Sequence, residues 1–136
     1  YFGLASGGIG FAMAGAIGIS LAQPNRPVIA LIGDGSSMYS IQALWTAAHM
    51  KLPITYVIAN NKGYRIIKQR LKSFRGTDKF IGMDFNDPEI DFVKLAQSMG
   101  INAQKIHLPE QLEATIKSCA SDGGTHLIEV DVLSHV

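Results

Sequence analysis

Apolar and polar positions alternate in blocks along this chain. Residues 28–32 and 54–59 are short apolar runs rich in β-branched side chains, and each stops abruptly, on Gly33 and on Asn60. Such runs, bounded by turn residues, predict buried strands. Between them, residues 41–50 carry Ile41, Leu44, Trp45 and Ala48 at helical spacing, which predicts a helix burying that side. Residues 64–71 have a helical pattern, 76–87 read as loop, and 91–99 predict a helix closed by Gly100. A strand over 102–106 follows. Pro109 then opens a helix running to about Ala120, and 127–132 is a last apolar strand. Strands apolar on both faces and alternating with helices predict an α/β fold, a mostly parallel sheet with helices on both faces.

The opening segment changes the picture. Residues 1–25 hold no charged side chain, yet six of the first eighteen residues are glycine and polar Ser6, Ser20 and Gln23 interrupt the run. A spanning helix needs about 20 apolar positions, and no basic stretch of the signal-peptide kind precedes the run. A helix laid closely against a sheet fits better. At 136 residues, 47% hydrophobic and with a net charge of +1, the chain reads as one folded domain with no global charge for nucleic acid. The basic cluster between Lys62 and Lys79 is local and predicts a solvated helix face. Cys119 is the sole cysteine, which excludes a disulfide framework or a thiolate metal site. It also suits a reducing, cytoplasmic setting. A chain beginning at Tyr1 is expected to be part of something longer.

In a parallel sheet the carboxyl ends of all strands share one rim, where ligands bind. Gly33-Asp34-Gly35 follows the first strand, and Asn60-Asn61-Lys62-Gly63 follows the second, with Asn61 lying 27 positions after Asp34. One carboxylate, one amide oxygen and nearby carbonyls are too little charge for a calcium cage. They suit magnesium, which completes its octahedron with ligand phosphates and water. Ser36 and Ser37, opening the next helix, add hydroxyls and N–H groups where phosphate is favoured. The rim therefore predicts magnesium with a diphosphate. Taken separately, GDG is an ordinary strand-to-helix turn and NN a turn dipeptide; the complete βαβ pattern between them makes the pair specific.

GDGS, the run YSIQALWTAA, the close NN-x-x-Y and the lead SGGIGFAMAGAIG together resemble the thiamine-diphosphate-dependent 2-keto-acid decarboxylase and acetohydroxyacid synthase superfamily, benzoylformate decarboxylases most of all. The resemblance spans residues 1–136 and implies the C-terminal, diphosphate-binding domain of a longer enzyme. It implies that Asp34 and Asn61 are magnesium ligands, with the carbonyl of Gly63 as the third. Gly35, Ser36, Tyr39 and Tyr64 fall on cofactor-binding positions. Ile9 falls on the apolar wedge that bends the cofactor, and Gly7 on the carbonyl that meets its exocyclic amine. From the residues alone, Ile9 is a helix core position. The resemblance places the activating glutamate and the catalytic histidines on an N-terminal domain of the same or a partner subunit, within a homodimer or homotetramer. His49, His107, His126 and His135 form no such constellation, and each reads as a structural or solvent-facing residue. The resemblance implies a small 2-keto acid substrate contacted by Ile67 and by Arg70, where benzoylformate decarboxylases carry an aromatic residue. A carboligase of acetolactate-synthase type and a non-catalytic diphosphate-binding module are the alternatives. No nucleic acid or membrane partner is expected.

Overall fold

The computed structural model describes residues 1–3 and 6–134, so His135 lies outside the described residues. Four parallel strands form one sheet in the order β1-β2-β4-β3. They are β1 (Val28–Gly33), β2 (Ile54–Asn60), β3 (Asn102–Ile106) and β4 (His126–Asp131). The helices are α1 (Phe11–Ala22), α2 (Asp34–Ser37), α3 (Ala43–His49), α4 (Arg65–Arg75), α5 (Phe92–Ser98) and α6 (Leu112–Ser121). The α/β fold with helices on both faces is as expected. None of the described helices is long and apolar enough to cross a membrane.

Strand β2 sits inside the sheet and is buried almost throughout, and its alternation feeds two cores. Ile54, Tyr56 and Ile58 join Leu127 of β4 and Ala30 and Ile32 of β1 under α1, α3 and α5, where Met13, Ala16, Leu44, Phe92 and Ala96 close the layer. On the other face Val57 and Ile128 meet Ile106 and Cys119, covered by Leu112 and Ile116 of α6. Each fully buried Leu or Ile side chain contributes about 1.5–3 kcal/mol relative to exposure. Helix α1 buries Met13, Ala16 and Ser20 at intervals of three and four, and the Tyr56 hydroxyl donates to the Met13 carbonyl at 3.1 Å.

Several expectations are corrected. Strand β1 is buried on one face only: Ile29 and Leu31 are 52% and 70% exposed, because β1 lies at the sheet edge and α6, which covers the other face, packs on Val57 of β2 and Ile128 of β4 instead. The expected helix over 41–50 is shorter, and Trp45 is 56% exposed, stacked on His49 at 4.9 Å, rather than on the buried side. Pro109 opens a 3-10 turn that leads into α6. Helix α4 runs four residues past the expected end, to Arg75, and is closed by left-handed Gly76. The expected solvated basic face holds only in part: Arg70, Lys72 and Arg75 are exposed, with Lys72 paired to Asp78, whereas the Lys68 side chain is largely covered and paired to Asp84.

Candidate diphosphate and metal site

Register brings the two rim loops together. Gly33 pairs with Ala59, so the chain leaving β1 at Asp34 emerges beside the chain leaving β2 at Asn60. Asp34 is 1% exposed, and its Oδ2 accepts the Gly63 N–H at 2.9 Å. Burial raises its pKa above the ordinary aspartate value, opposed by backbone N–H groups of Gly35, Gly63, Lys62 and Asn61 that favour the charged form. The turn after β2 is tightly held. Lys62 adopts φ 61°, a left-handed conformation uncommon outside glycine, and its N–H donates to Asn60 Oδ1 at 2.9 Å. Across this turn Asn61 Oδ1 is buried without a hydrogen-bond partner among the described residues. A buried amide oxygen beside a buried carboxylate is an unmet acceptor. Both fit a hard divalent cation.

A cleft of about 520 Å³ opens over these atoms, with Asp34 its only lining carboxylate among the described residues. Gly7, Gly8 and Ile9 form one wall, Gly33 to Ser36 the floor, and Gly63 and Tyr64 with the start of α4 the other wall. The glycine-rich lead is fastened to the floor through Gly10, whose N–H donates to Ser36 Oγ at 3.0 Å and whose carbonyl accepts from Ser40 Oγ at 2.6 Å. A side chain at Gly10 would strike Tyr39 Cβ at 2.8 Å, and the residue sits at φ 84°. Opposite, the Tyr64 ring lies over Gly35, where a Cβ would come within 2.7 Å of it. An edge-on Phe85, 4.9 Å away, fixes the ring. Desolvation, and then the neighbouring Tyr39, raise the Tyr64 pKa.

Most of the residues expected at the site meet here: Gly7, Ile9, Asp34, Gly35, Ser36, Asn61, Gly63, Tyr64 and Ile67 all line the cleft. Ile9 lies before α1 and is 53% exposed, so reading it as a helix core residue fails. Ser37 is fully buried with its hydroxyl donating to the Asp34 carbonyl at 2.7 Å, so it offers no hydroxyl to a ligand. Helix α2 is a single turn of 4 residues, too short for the helix dipole expected there. Tyr39 is 58% exposed and neighbours Tyr64 without being among the lining residues, and Arg70 is exposed and outside them too. Arg65, Ile66 and Gln69 line the cleft unforeseen. Their signal is the spacing at the start of α4: Arg65 and Ile66 open the helix at the rim and Gln69 stands one turn after Arg65 on the same side. His49, His107 and His126 lie away from the cleft, and His126 Nε2 is 2.6 Å from Asp122 Oδ1.

Comparison with known proteins follows the same lines. The family model "Thiamine pyrophosphate enzyme, C-terminal TPP binding domain" (thiamine pyrophosphate being thiamine diphosphate) matches residues 3–130. The chain is 38% identical to benzoylformate decarboxylase of Pseudomonas aeruginosa over 96% of its length and 24% of that protein's. It is 33% identical to acetolactate synthase of Bacillus subtilis over 91% of its length and 21% of that protein's. The structure of a thiamine diphosphate-dependent 4-hydroxybenzoylformate decarboxylase from Rhodococcus jostii RHA1 superposes with a TM-score of 0.87 at 39% identity, covering 96% of this chain and 24% of that one. The chain thus spans about a quarter of the length of the curated relatives it matches.

Proposed function

The chain belongs to the family of C-terminal, TPP-binding domains of thiamine pyrophosphate enzymes, and from that premise we propose that it is the cofactor-binding domain of a 2-keto-acid decarboxylase that uses thiamine diphosphate and magnesium. The observation that carries the metal is the pairing of buried Asp34 with the unpartnered Asn61 Oδ1 at one strand rim. Asp34 and Asn61, with the main chain of Gly63, would hold the cation. The floor from Gly35 to Ser36 would take the diphosphate, and Ile9, Gly7 and Tyr64 the organic part. When bound, the cofactor supplies a nucleophilic carbon and an electron sink for carbon dioxide release. The chain's own residues orient it and exclude water: Ile9, Ile66 and Ile67 line the cleft with apolar surface. Among the described residues the cleft is lined by no histidine and no carboxylate besides Asp34, so we assign proton transfer to an N-terminal domain of the same or a partner subunit, in a cytoplasmic homodimer or homotetramer.

The acetolactate synthase relative favours a second reading, carboligation of two carbonyl compounds. Incubating the full-length protein with pyruvate and with larger 2-keto acids decides between them: aldehyde release supports decarboxylation, and a 2-hydroxy-2-alkyl keto acid supports carboligation.

Acidification should weaken the metal site. Because burial raises the Asp34 pKa, the folded chain holds that proton more tightly than the unfolded chain. The stability that the neutral form confers is present below the ordinary aspartate pKa and is lost as pH rises through the raised one. Magnesium needs the carboxylate, so its binding runs the opposite way. Affinity for magnesium, titrated with thiamine diphosphate present, is expected to fall up to about tenfold per pH unit, starting above the ordinary aspartate range. A flat profile through that range removes Asp34 from the ligand set.

Ile67 tests the substrate wall. Ile67→Ala enlarges the cleft beside the cofactor, and a pocket methylene changes discrimination by about 1–3 kcal/mol. The kcat/KM ratio of a bulky to a small 2-keto acid should rise roughly tenfold, with cofactor affinity steady. A lower Tm with an unchanged ratio would instead make Ile67 a packing residue of α4.

A further inference from the structure

The C-terminal rim carries a buried ionic group that the cleft itself does not use. Glu129 of β4 is 3% exposed, and alternation along the strands puts it on the same face as Asn60 of β2 and Lys105 of β3. Its Oε1 accepts from Asn60 Nδ2 at 2.8 Å and from Lys105 Nζ at 3.0 Å, and Lys105 also reaches Asp131 Oδ1 at 2.8 Å. We propose that Asn60, Glu129 and Lys105 are positioning residues for the divalent cation, a second layer that fixes the turn carrying Asn61. The proposal rests on the metal assignment above.

Asn60 has both ends of its amide engaged, since Oδ1 takes the Lys62 N–H while Nδ2 is held by Glu129. Its own carbonyl accepts from the Val132 N–H at 2.9 Å. The residue therefore cannot rotate without breaking a buried bond. The left-handed Lys62 is then pinned on its far side, where its carbonyl accepts from Phe85 N–H and Tyr64 N–H donates to the Met83 carbonyl, both at 2.9 Å. Between these two anchors lies Asn61, whose amide oxygen alone is left for a ligand. Fixing a ligand by hydrogen bonds behind it is how outer groups tune a metal site, and losing one costs about 10–100-fold in metal affinity.

Packing alone does not call for Glu129. A similarly sized apolar side chain would avoid the cost of burying a carboxylate, but it would leave Asn60 Nδ2 with no acceptor. The charge makes sense as an anchor for the amide, with Lys105 offsetting it and tying the pair to the neighbouring strand.

The test is magnesium titration of the full-length protein by calorimetry, with thiamine diphosphate saturating, alongside Tm without metal. Asn60→Ala should raise the magnesium half-saturation about 10–100-fold, with turnover restored at high magnesium. Glu129→Gln keeps an acceptor oxygen for Asn60 and should raise it only several-fold. A folded Asn60→Ala protein with wild-type magnesium affinity and only a lower Tm overturns the proposal. Should that variant not fold, Glu129→Gln decides, an unchanged affinity overturning it and a several-fold loss supporting it. A wild-type protein whose cofactor binding ignores magnesium overturns the metal assignment first, and this proposal with it.

Discussion

Asp34→Ala should abolish magnesium-dependent binding of thiamine diphosphate to the full-length protein. The expectation rests on scarcity: among the described residues Asp34 is the only carboxylate lining the cleft, and a site built otherwise from neutral oxygens has no second negative charge to hold a strongly hydrated cation. Asn61→Ala removes a neutral ligand and should weaken binding less. The effect on the fold is smaller because two contributions oppose. Deleting the carboxylate leaves the Gly63 N–H without its acceptor, at about 1–3 kcal/mol for a buried group. It also relieves the desolvation that raises the Asp34 pKa. Calorimetry with magnesium and thiamine diphosphate, beside a melting curve, separates binding from folding. Unchanged cofactor affinity in the folded Asp34 variant would sink the site assignment.

What could be read in advance follows from how each feature is encoded. The strand at 102–106 appears with those bounds, and the two rim loops stand where their apolar runs stop, because strand ends are marked locally by Gly33 and Asn60. Features set by neighbours distant in sequence were illegible. The open face of β1 depends on which strand lies at the sheet edge, and nothing in Ile29 or Leu31 reports that. Trp45 sits at a helical spacing that predicts burial, but α3 packs through Ala43, Leu44 and Ala47, and Trp45, about 100° round the helix from Leu44, is left outside that contact. The Asn60 to Glu129 bond joins residues 69 apart, and a lone Glu in an apolar strand carries no sign of its partner. The residues alone make Ile9 a core position and do not single out Arg65, because each lies near a helix boundary, where one residue of error moves a side chain by about a quarter-turn; for Ile9 the family resemblance supplies the place that the pattern does not.

Gly63→Ala should damage the site without touching a ligand side chain, through the backbone alone. A Cβ on Gly63 would lie 2.4 Å from the Met83 carbonyl oxygen and 3.3 Å from Asp84 Cα, so the methyl meets main chain on a neighbouring segment. That segment cannot easily yield. Met83 O accepts the Tyr64 N–H at 2.9 Å, Gly63 itself bridges to Asp84, and Asp84 is ion-paired to Lys68 of α4. The turn must therefore move by about 1 Å, and overpacking of this kind costs about 1–3 kcal/mol. The displacement falls on the Gly63 N–H to Asp34 bond and on Asn61 two residues before it, so the carboxylate and the amide oxygen separate. Magnesium tolerates little departure from octahedral geometry, and a loss of at least tenfold in magnesium-dependent cofactor affinity is expected, beyond the drop in Tm. If calorimetry found wild-type affinity in a variant with a clearly lowered Tm, the turn would be dispensable for the metal, and Gly63 would matter to the fold alone.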